Sequence, residues 1–333
     1  MLSTTDLATV LDTASGFFRS QALFAGVELG LFTVLAERPA TAEEISDRLG
    51  LHPAAARDFL DALVALSLLR LDGERYANTP ASATYLDKER GAYVGGFLMF
   101  MKHALYPAWG RLPQLLRTGQ VQEGDDSFAE FYRDPDRVRG FMAAMDGASA
   151  IVAEQLATTF DWSGYSTFAD LGGARGNLAA TIVKANPQLS GVCFDVPPLQ
   201  PFFEEHMHQL GTADAVAFRA GDFLTDPLPE ADVLIFGHVL HDWDETHRAL
   251  LIRRAYEAIK PGGALLIYDE MIDDDRRGPA HNLLMSLNMK LVRSGASEYS
   301  AEDARSWLSD AGFTDSSVRS LTSTERLLVA HKK

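Results

Sequence analysis

Thr167-Phe-Ala-Asp-Leu-Gly-Gly-Ala-Arg-Gly-Asn-Leu-Ala179 decides how this chain folds. Its apolar start reads as a short buried strand, its glycines as a tight turn, and Asn177 to Ala185 as a helix leaving that turn. In an open α/β sheet such a strand, glycine turn and helix bring backbone against a ligand where no Cβ intervenes, with helix N–H groups aimed at it. The turn is no phosphate-binding loop, because no lysine follows the glycines, and Gly172-Gly173-x-x-Gly176 departs from the strict dinucleotide spacing.

The acids around the turn give it chemistry. Asp170 ends the strand facing the crevice. A second apolar strand, Gly191-Val-Cys-Phe-Asp195, closes on an acid 23 positions after Gly172, near the spacing at which a carboxylate grips ribose hydroxyls. Phe218-Arg-Ala-Gly-Asp222-Phe223 then offers an acid and an aromatic to frame a flat base. The spacing predicts strands at 166–170, 191–195, 215–219, 231–236, 263–268 and 326–331, and helices at 176–185, 198–210, 246–259 and 301–312. That alternation means a mostly parallel sheet covered on both faces, with Lys260-Pro-Gly-Gly263 ending one helix and launching the next strand.

With 333 residues and 47% hydrophobic content, the chain can bury two cores. A net charge of −16 opposes binding to nucleic acid or an anionic membrane, since phosphates would be repelled. The single cysteine, Cys193, lies in a strand and fits a small buried hydrophobe in a reducing interior. The first cation is Arg19, so no signal peptide is expected; Ala92 to Met101 is too short to span a bilayer; the chain reads as cytoplasmic.

The first 110 residues lack the alternation. Leu7 to Phe32 is apolar at helical spacing, Thr41-Ala-Glu-Glu44 has the form of a helix start, His52-Pro starts another helix, and strands near 68–71 and 75–77 flank Asp72-Gly73. Helix, turn, helix and hairpin describe a winged-helix-like unit, which raises a ligand-responsive DNA-binding regulator as a competing reading. Pro53 to Leu66 carries only Arg57 beside Asp58 and Asp61, a poor surface for phosphates, so a dimerisation scaffold is preferred. Tyr93 to Leu116 reads as helix, Gly119 to Asp126 as an acidic loop, and Asp136 to Thr159 as helix again. The expected organisation is therefore 1–110 dimerisation domain, 111–160 helical connector and 161–333 catalytic domain.

After the fourth strand comes Phe236-Gly-His238-Val-Leu-His241-Asp242-Trp243-Asp244. Loops beyond the carboxyl ends of the strands surround the crevice, which puts His241 beside the cradle. An imidazole can accept a proton near neutrality, and a carboxylate on its other nitrogen makes it a better base. Asp269 and Glu298 are the candidate partners. Asp242 and Asp244 also suit a helix cap. Asp273-Asp-Asp275 reads as a solvated loop, and no metal is expected.

In this order, Asp170-Leu-Gly-Gly-x-x-Gly176, Asp195-Val-Pro197, Gly221-Asp222-Phe223, His241-Asp-Trp243 and Lys260-Pro-Gly-Gly263 resemble the S-adenosylmethionine-dependent small-molecule O-methyltransferases. These include the plant caffeate and flavonoid enzymes, acetylserotonin O-methyltransferase and bacterial natural-product tailoring enzymes. The resemblance covers nearly the whole chain and implies a Rossmann-like doubly wound sheet behind a helical dimerisation domain. It implies His241 as general base flanked by Asp269 and Glu298. It places Asp170, Gly172, Gly173, Gly176, Asp195 and Val196 on the cofactor, followed by Gly221, Asp222, Phe223, His238, Asp242 and Trp243, with Ser149 toward its carboxylate. Phe141, Met145 and Met289 would line the acceptor pocket, and Arg293 could meet an acidic acceptor. The chain departs from the family pattern at Ala174 and Arg175 in the turn, at Gly237 where plant members carry a lysine, and at Ala148 where a histidine is frequent. The implied reaction methylates a phenolic hydroxyl of a small aromatic, leaving S-adenosylhomocysteine. Ring C-methylation of a phenolic amino acid or aromatic acid, and a non-catalytic regulator, remain the alternatives.

Overall fold

The computed structural model describes residues 4–122 and 135–333; the acidic loop expected at 119–126 lies outside them from residue 123 onward, as does the Ala148 side chain. The chain divides into two compact units, residues 1–106 with 143–148, and residues 107–142 with 149–333.

The smaller unit begins with α1 (Thr4–Glu28) and α2 (Leu31–Glu37), separated where Gly30 takes φ +72°. A capping box at Thr41 and Glu44 starts α3 (Ala42–Leu49), and the His52 ring accepts the Ala54 N–H to start α4 (Pro53–Ala65). The hairpin of β1 (Leu69–Asp72) and β2 (Arg75–Asn78) follows, then α5 (Pro80–Tyr85) and α6 (Gly95–Phe100). Val27, Leu31, Phe32, Leu35, Ile45, Leu60 and Leu63 form its core. The helix expected over 93–116 is broken: a π-helical turn at Met101–Leu105 follows α6, then come α7 (Tyr106–Trp109) and α8 (Leu112–Thr118). Helix α9 (Pro135–Thr159) runs through both units.

The larger unit is built on a seven-stranded sheet in the order β5-β4-β3-β6-β7-β9-β8. In chain order its elements are β3 (Thr167–Leu171), α10 (Asn177–Ala185), β4 (Ser190–Asp195), α11 (Gln200–Leu210), β5 (Val216–Ala220), β6 (Ala231–Gly237), α12 (Glu245–Ala258), β7 (Ile259–Asp269), α13 (Ala280–Val292), α14 (Ala301–Ala311), β8 (Asp315–Ser320) and β9 (Arg326–His331). Strands β5, β4, β3, β6 and β7 are parallel; β9 and β8 return antiparallel. Alternate residues feed two cores: Phe168, Val233, Ile235 and Leu266 on one face, Leu171, Leu234, Phe236 and Ile267 on the other. The strand order reverses between β3 and β6, which opens a crevice at their carboxyl ends.

Two elements of the larger unit were not expected, and in the smaller unit α5 was not. Strand β8 exposes Asp315, Ser317, Arg319 and Ser320, so as an edge strand it lacks the apolar signal of its neighbours. Helix α13 buries Asn282, Ser286 and Asn288 with Met289 and Leu291, and those polar residues blur its apolar stripe.

Candidate active site

Three left-handed residues shape the cradle after β3. Gly172 (φ +80°), Ala174 (φ +51°) and Gly176 (φ +82°) reverse the chain into α10, and the Gly172 N–H donates to the Phe194 carbonyl at 2.8 Å. A Cβ on Gly172 would lie 2.7 Å from Val239, and one on Gly173 2.5 Å from Asp170 Oδ2. Alanine at 174 adopts a conformation ordinarily left to glycine, and in doing so aims its N–H at Asp195 Oδ2, 2.8 Å away.

Two buried carboxylates close the cradle. Asp195 Oδ1 also accepts the Val196 N–H at 2.7 Å, yet burial outweighs both hydrogen bonds and raises its pKa to about 6. Burial, then the charge of Asp195, raises Asp170 to about 7, and Asp170 Oδ2 is buried with no hydrogen-bond partner among the described residues. An orphaned buried carboxylate calls for a cation, and a carboxylate at the end of the next strand can accept from vicinal hydroxyls. An amino-acid ammonium and a ribose fit these two positions.

Beyond β5, the Gly221 N–H donates to the Asp195 carbonyl, and Asp222 uses Oδ1 to accept the Leu224 N–H at 2.8 Å. The Phe223 ring meets Trp243 edge-on at 5.8 Å and approaches the Gly172 turn. These rings give the cradle an aromatic wall.

The 3-10 turn Leu240–Asp242 carries the imidazole. His241 Nδ1 lies 2.7 Å from Glu298 Oε1 and 3.6 Å from Asp269 Oδ1. A carboxylate can only accept, so Nδ1 carries a proton in either charge state, and in the neutral ring Nε2 presents the lone pair. Burial opposes charging of His241, but Glu298, Asp269 and Asp242 outweigh it and raise its pKa to about 10. Asp269 is fully buried; Tyr299 donates to its Oδ2 at 2.5 Å, and burial raises its own pKa to about 7.

The structure sorts the remaining expectations. Asp244 is the cap of α12, accepting the His247 N–H, whereas Asp242 Oδ1 lies 3.7 Å from Arg293 Nε. His238, at φ +52°, lies against the base cluster, with Nδ1 3.8 Å from Asp269 and Nε2 3.9 Å from Glu325. Burial and His241 push its pKa down to about 3, so it is a neutral ring. Nitrogens of His238 and His241 and an oxygen of Asp269 fall within 4.8 Å of one another, close enough to hold a metal ion. Met289 is buried on α13, and its carbonyl accepts the Arg293 N–H. Phe141 packs on Val138, Met142 and Leu199, Ser149 is half-buried, and Met145 belongs to the smaller unit.

Arg248 was not anticipated. It is 4% exposed, its Nε donates to the Leu240 carbonyl at 2.8 Å, and its Nη2 donates to the Ser297 carbonyl, while the guanidinium sits 4.8 Å over the Tyr299 ring. It ties the turn holding His241 to the loop holding Glu298. A signal existed: Arg248 shares the helix face of Leu251, Ile252 and Ala255, where a lone cation is out of place. Tyr299, adjacent to Glu298, gave no such sign.

Comparison with known proteins places this geometry in a family. An O-methyltransferase domain matches residues 109–314, and an O-methyltransferase dimerisation domain matches residues 11–88. The chain is 48% identical to the tetracenomycin polyketide synthesis 8-O-methyl transferase TcmO of Streptomyces glaucescens, over 97% of this chain and 96% of that one. It is 42% identical to the N,N-dimethyltransferase OxyT of Streptomyces rimosus, over 94% of each. Human N-acetylserotonin methyltransferase, solved with S-adenosylmethionine, superposes with a TM-score of 0.89 at 32% identity, covering 100% of this chain and 99% of that one. With the glycine cradle, the two buried acids and the carboxylate-bound imidazole in place, the chain belongs to the S-adenosylmethionine-dependent O-methyltransferases.

Proposed function

We propose that this enzyme methylates a phenolic hydroxyl of a small polycyclic aromatic in natural-product tailoring, with His241 as general base. The observation that carries this is the His241 Nδ1 to Glu298 contact of 2.7 Å beside Asp269, at the carboxyl end of the sheet next to the cradle. A free phenol has a pKa of about 10, so little phenolate exists at neutral pH. Burial opposes charging of His241, but Glu298 and Asp269 raise its basicity, which favours proton transfer from a phenol to Nε2 of the neutral ring. S-adenosylmethionine supplies a methyl made electrophilic by a positively charged sulfur. Asp170 would hold its ammonium, Asp195 its ribose hydroxyls, and Asp222 with Phe223 its adenine. The remaining work of the chain is to orient the acceptor oxygen and exclude water, effects worth at best about 7–11 kcal/mol. On the acceptor side we assign Phe141, Met289 and Arg293, and we place the enzyme in the cytoplasm as a homodimer.

The identity to an N,N-dimethyltransferase makes an amine the second candidate acceptor. Methyl transfer from radiolabelled donor to an aromatic panel, followed by NMR of the product, separates methoxy from N-methyl and aryl methyl. His241→Ala should cut turnover on a phenol by roughly two to four orders of magnitude while S-adenosylhomocysteine affinity stays within twofold. Undiminished turnover would remove the base assignment.

A further inference from the structure

One buried side chain beside the cradle takes no part in the proposed chemistry. Tyr268, near the end of β7, is 5% exposed and pairs in register with Gly237. A Cβ on Gly237 would overlap the Tyr268 ring and hydroxyl, so the tyrosine tip lies across the place a side chain at 237 would take. This is the carboxyl end of β6, at the strand-order reversal. On one side the His238 ring meets Tyr268 edge-on at 5.2 Å. Its neighbouring charges are Asp170, Asp269 and Glu325, with Asp170 the strongest. The ring therefore stands between the cradle acid and the base cluster.

Burial, then those acids, holds the phenol well above its ordinary value, which leaves a neutral O–H able to donate. Among the described residues the Tyr268 hydroxyl makes no hydrogen bond, and its oxygen is not one of the fully enclosed unpartnered atoms, so it stays reachable. A reachable donor beside a buried carboxylate that itself lacks a partner can meet an acceptor that arrives with a ligand. A ligand held at Asp170 by its ammonium carries a carboxylate on the same carbon, within reach of donors around that acid. We propose that Tyr268 is a cofactor-binding residue whose hydroxyl donates to the carboxylate of the amino-acid end of S-adenosylmethionine, filling the space left open by Gly237. This rests on the assignment of Asp170 to the ammonium.

Titration calorimetry with two probes tests it. S-adenosylhomocysteine carries the amino-acid end; 5′-methylthioadenosine shares the nucleoside and thioether and lacks it. Tyr268→Phe keeps the ring against Gly237 and removes only the donor. The dissociation constant for S-adenosylhomocysteine should rise about 10-fold, the scale of a hydrogen bond to a charged group, with 5′-methylthioadenosine unchanged within twofold. Unchanged S-adenosylhomocysteine affinity, or equal weakening of both probes, overturns the proposal. If the unaltered enzyme binds neither probe, the donor assignment itself fails, a result distinct from either.

Discussion

At the level of single residues, His241 is a base because of what holds its far nitrogen. Glu298 accepts a hydrogen bond from Nδ1–H at 2.7 Å, and Asp269 adds a second buried carboxylate at 3.6 Å. The imidazole works as a base only above its own pKa, which these acids raise, so they set the acidic limb of the rate profile. Glu298→Gln keeps an acceptor for Nδ1 but deletes the charge. The imidazole pKa then falls, the acidic limb moves to lower pH, and the plateau drops by about 10- to 100-fold because the base is weaker. A pH profile of kcat/KM reads this directly, and an unmoved limb would mean that the carboxylate charge does not tune the base. The positions of His241 and Asp269 were legible in the sequence because each lies at or just beyond the end of an apolar strand, whereas Glu298 was a candidate from the loop 294–299. Arg248 was missed because its role depends on two carbonyls, Leu240 and Ser297, that are far apart in the chain and meet only after folding.

At the level of elements, the turn between β3 and α10 does the positioning. Gly172 needs φ +80° and has Val239 across from it, so Gly172→Ala incurs both backbone strain and a 2.7 Å overlap. It should lower stability by about 1–3 kcal/mol and weaken S-adenosylhomocysteine by more than about 10-fold, measured by thermal unfolding and calorimetry. Gly164→Ala, where a Cβ meets nothing within 4 Å, is the control and should change neither. Equal behaviour of the two variants would show that the cradle tolerates a side chain. Strands β3, β4, β6 and β7 announced themselves as continuous apolar runs because both faces of each are buried. Edge strand β8 and polar-lined α13 did not, since neither presents a clean period to read.

For the molecule as a whole, the apolar N-terminal stretch splits into two roles. Phe24, Val27, Leu31, Phe32 and Leu35 are buried in their own unit, whereas Leu7, Val10, Leu11 and Phe18 are each more than half exposed along α1. An exposed stripe of this kind in or beside the segment matched as a dimerisation domain suits a second copy of the chain. Light scattering should give twice 36.4 kDa, and the pair Leu11→Glu with Phe18→Glu should return the mass to that of one chain. A dimer that survives both charges would place the interface elsewhere. The winged-helix-like unit offers little to nucleic acid: Arg57 lies 3.8 Å from Asp61, and the net charge is −16.

The sequence by itself determined the sheet's central strands, the glycine cradle, the acids at the strand ends and the imidazole, because burial period and turn chemistry are local properties written in adjacent letters. Only the tertiary structure decided which acid caps a helix and which reaches Arg293, which apolar residues are core and which are surface, and that Tyr268 occupies the space beside Gly237. Those outcomes depend on distances between residues remote in the chain, and no local pattern encodes them.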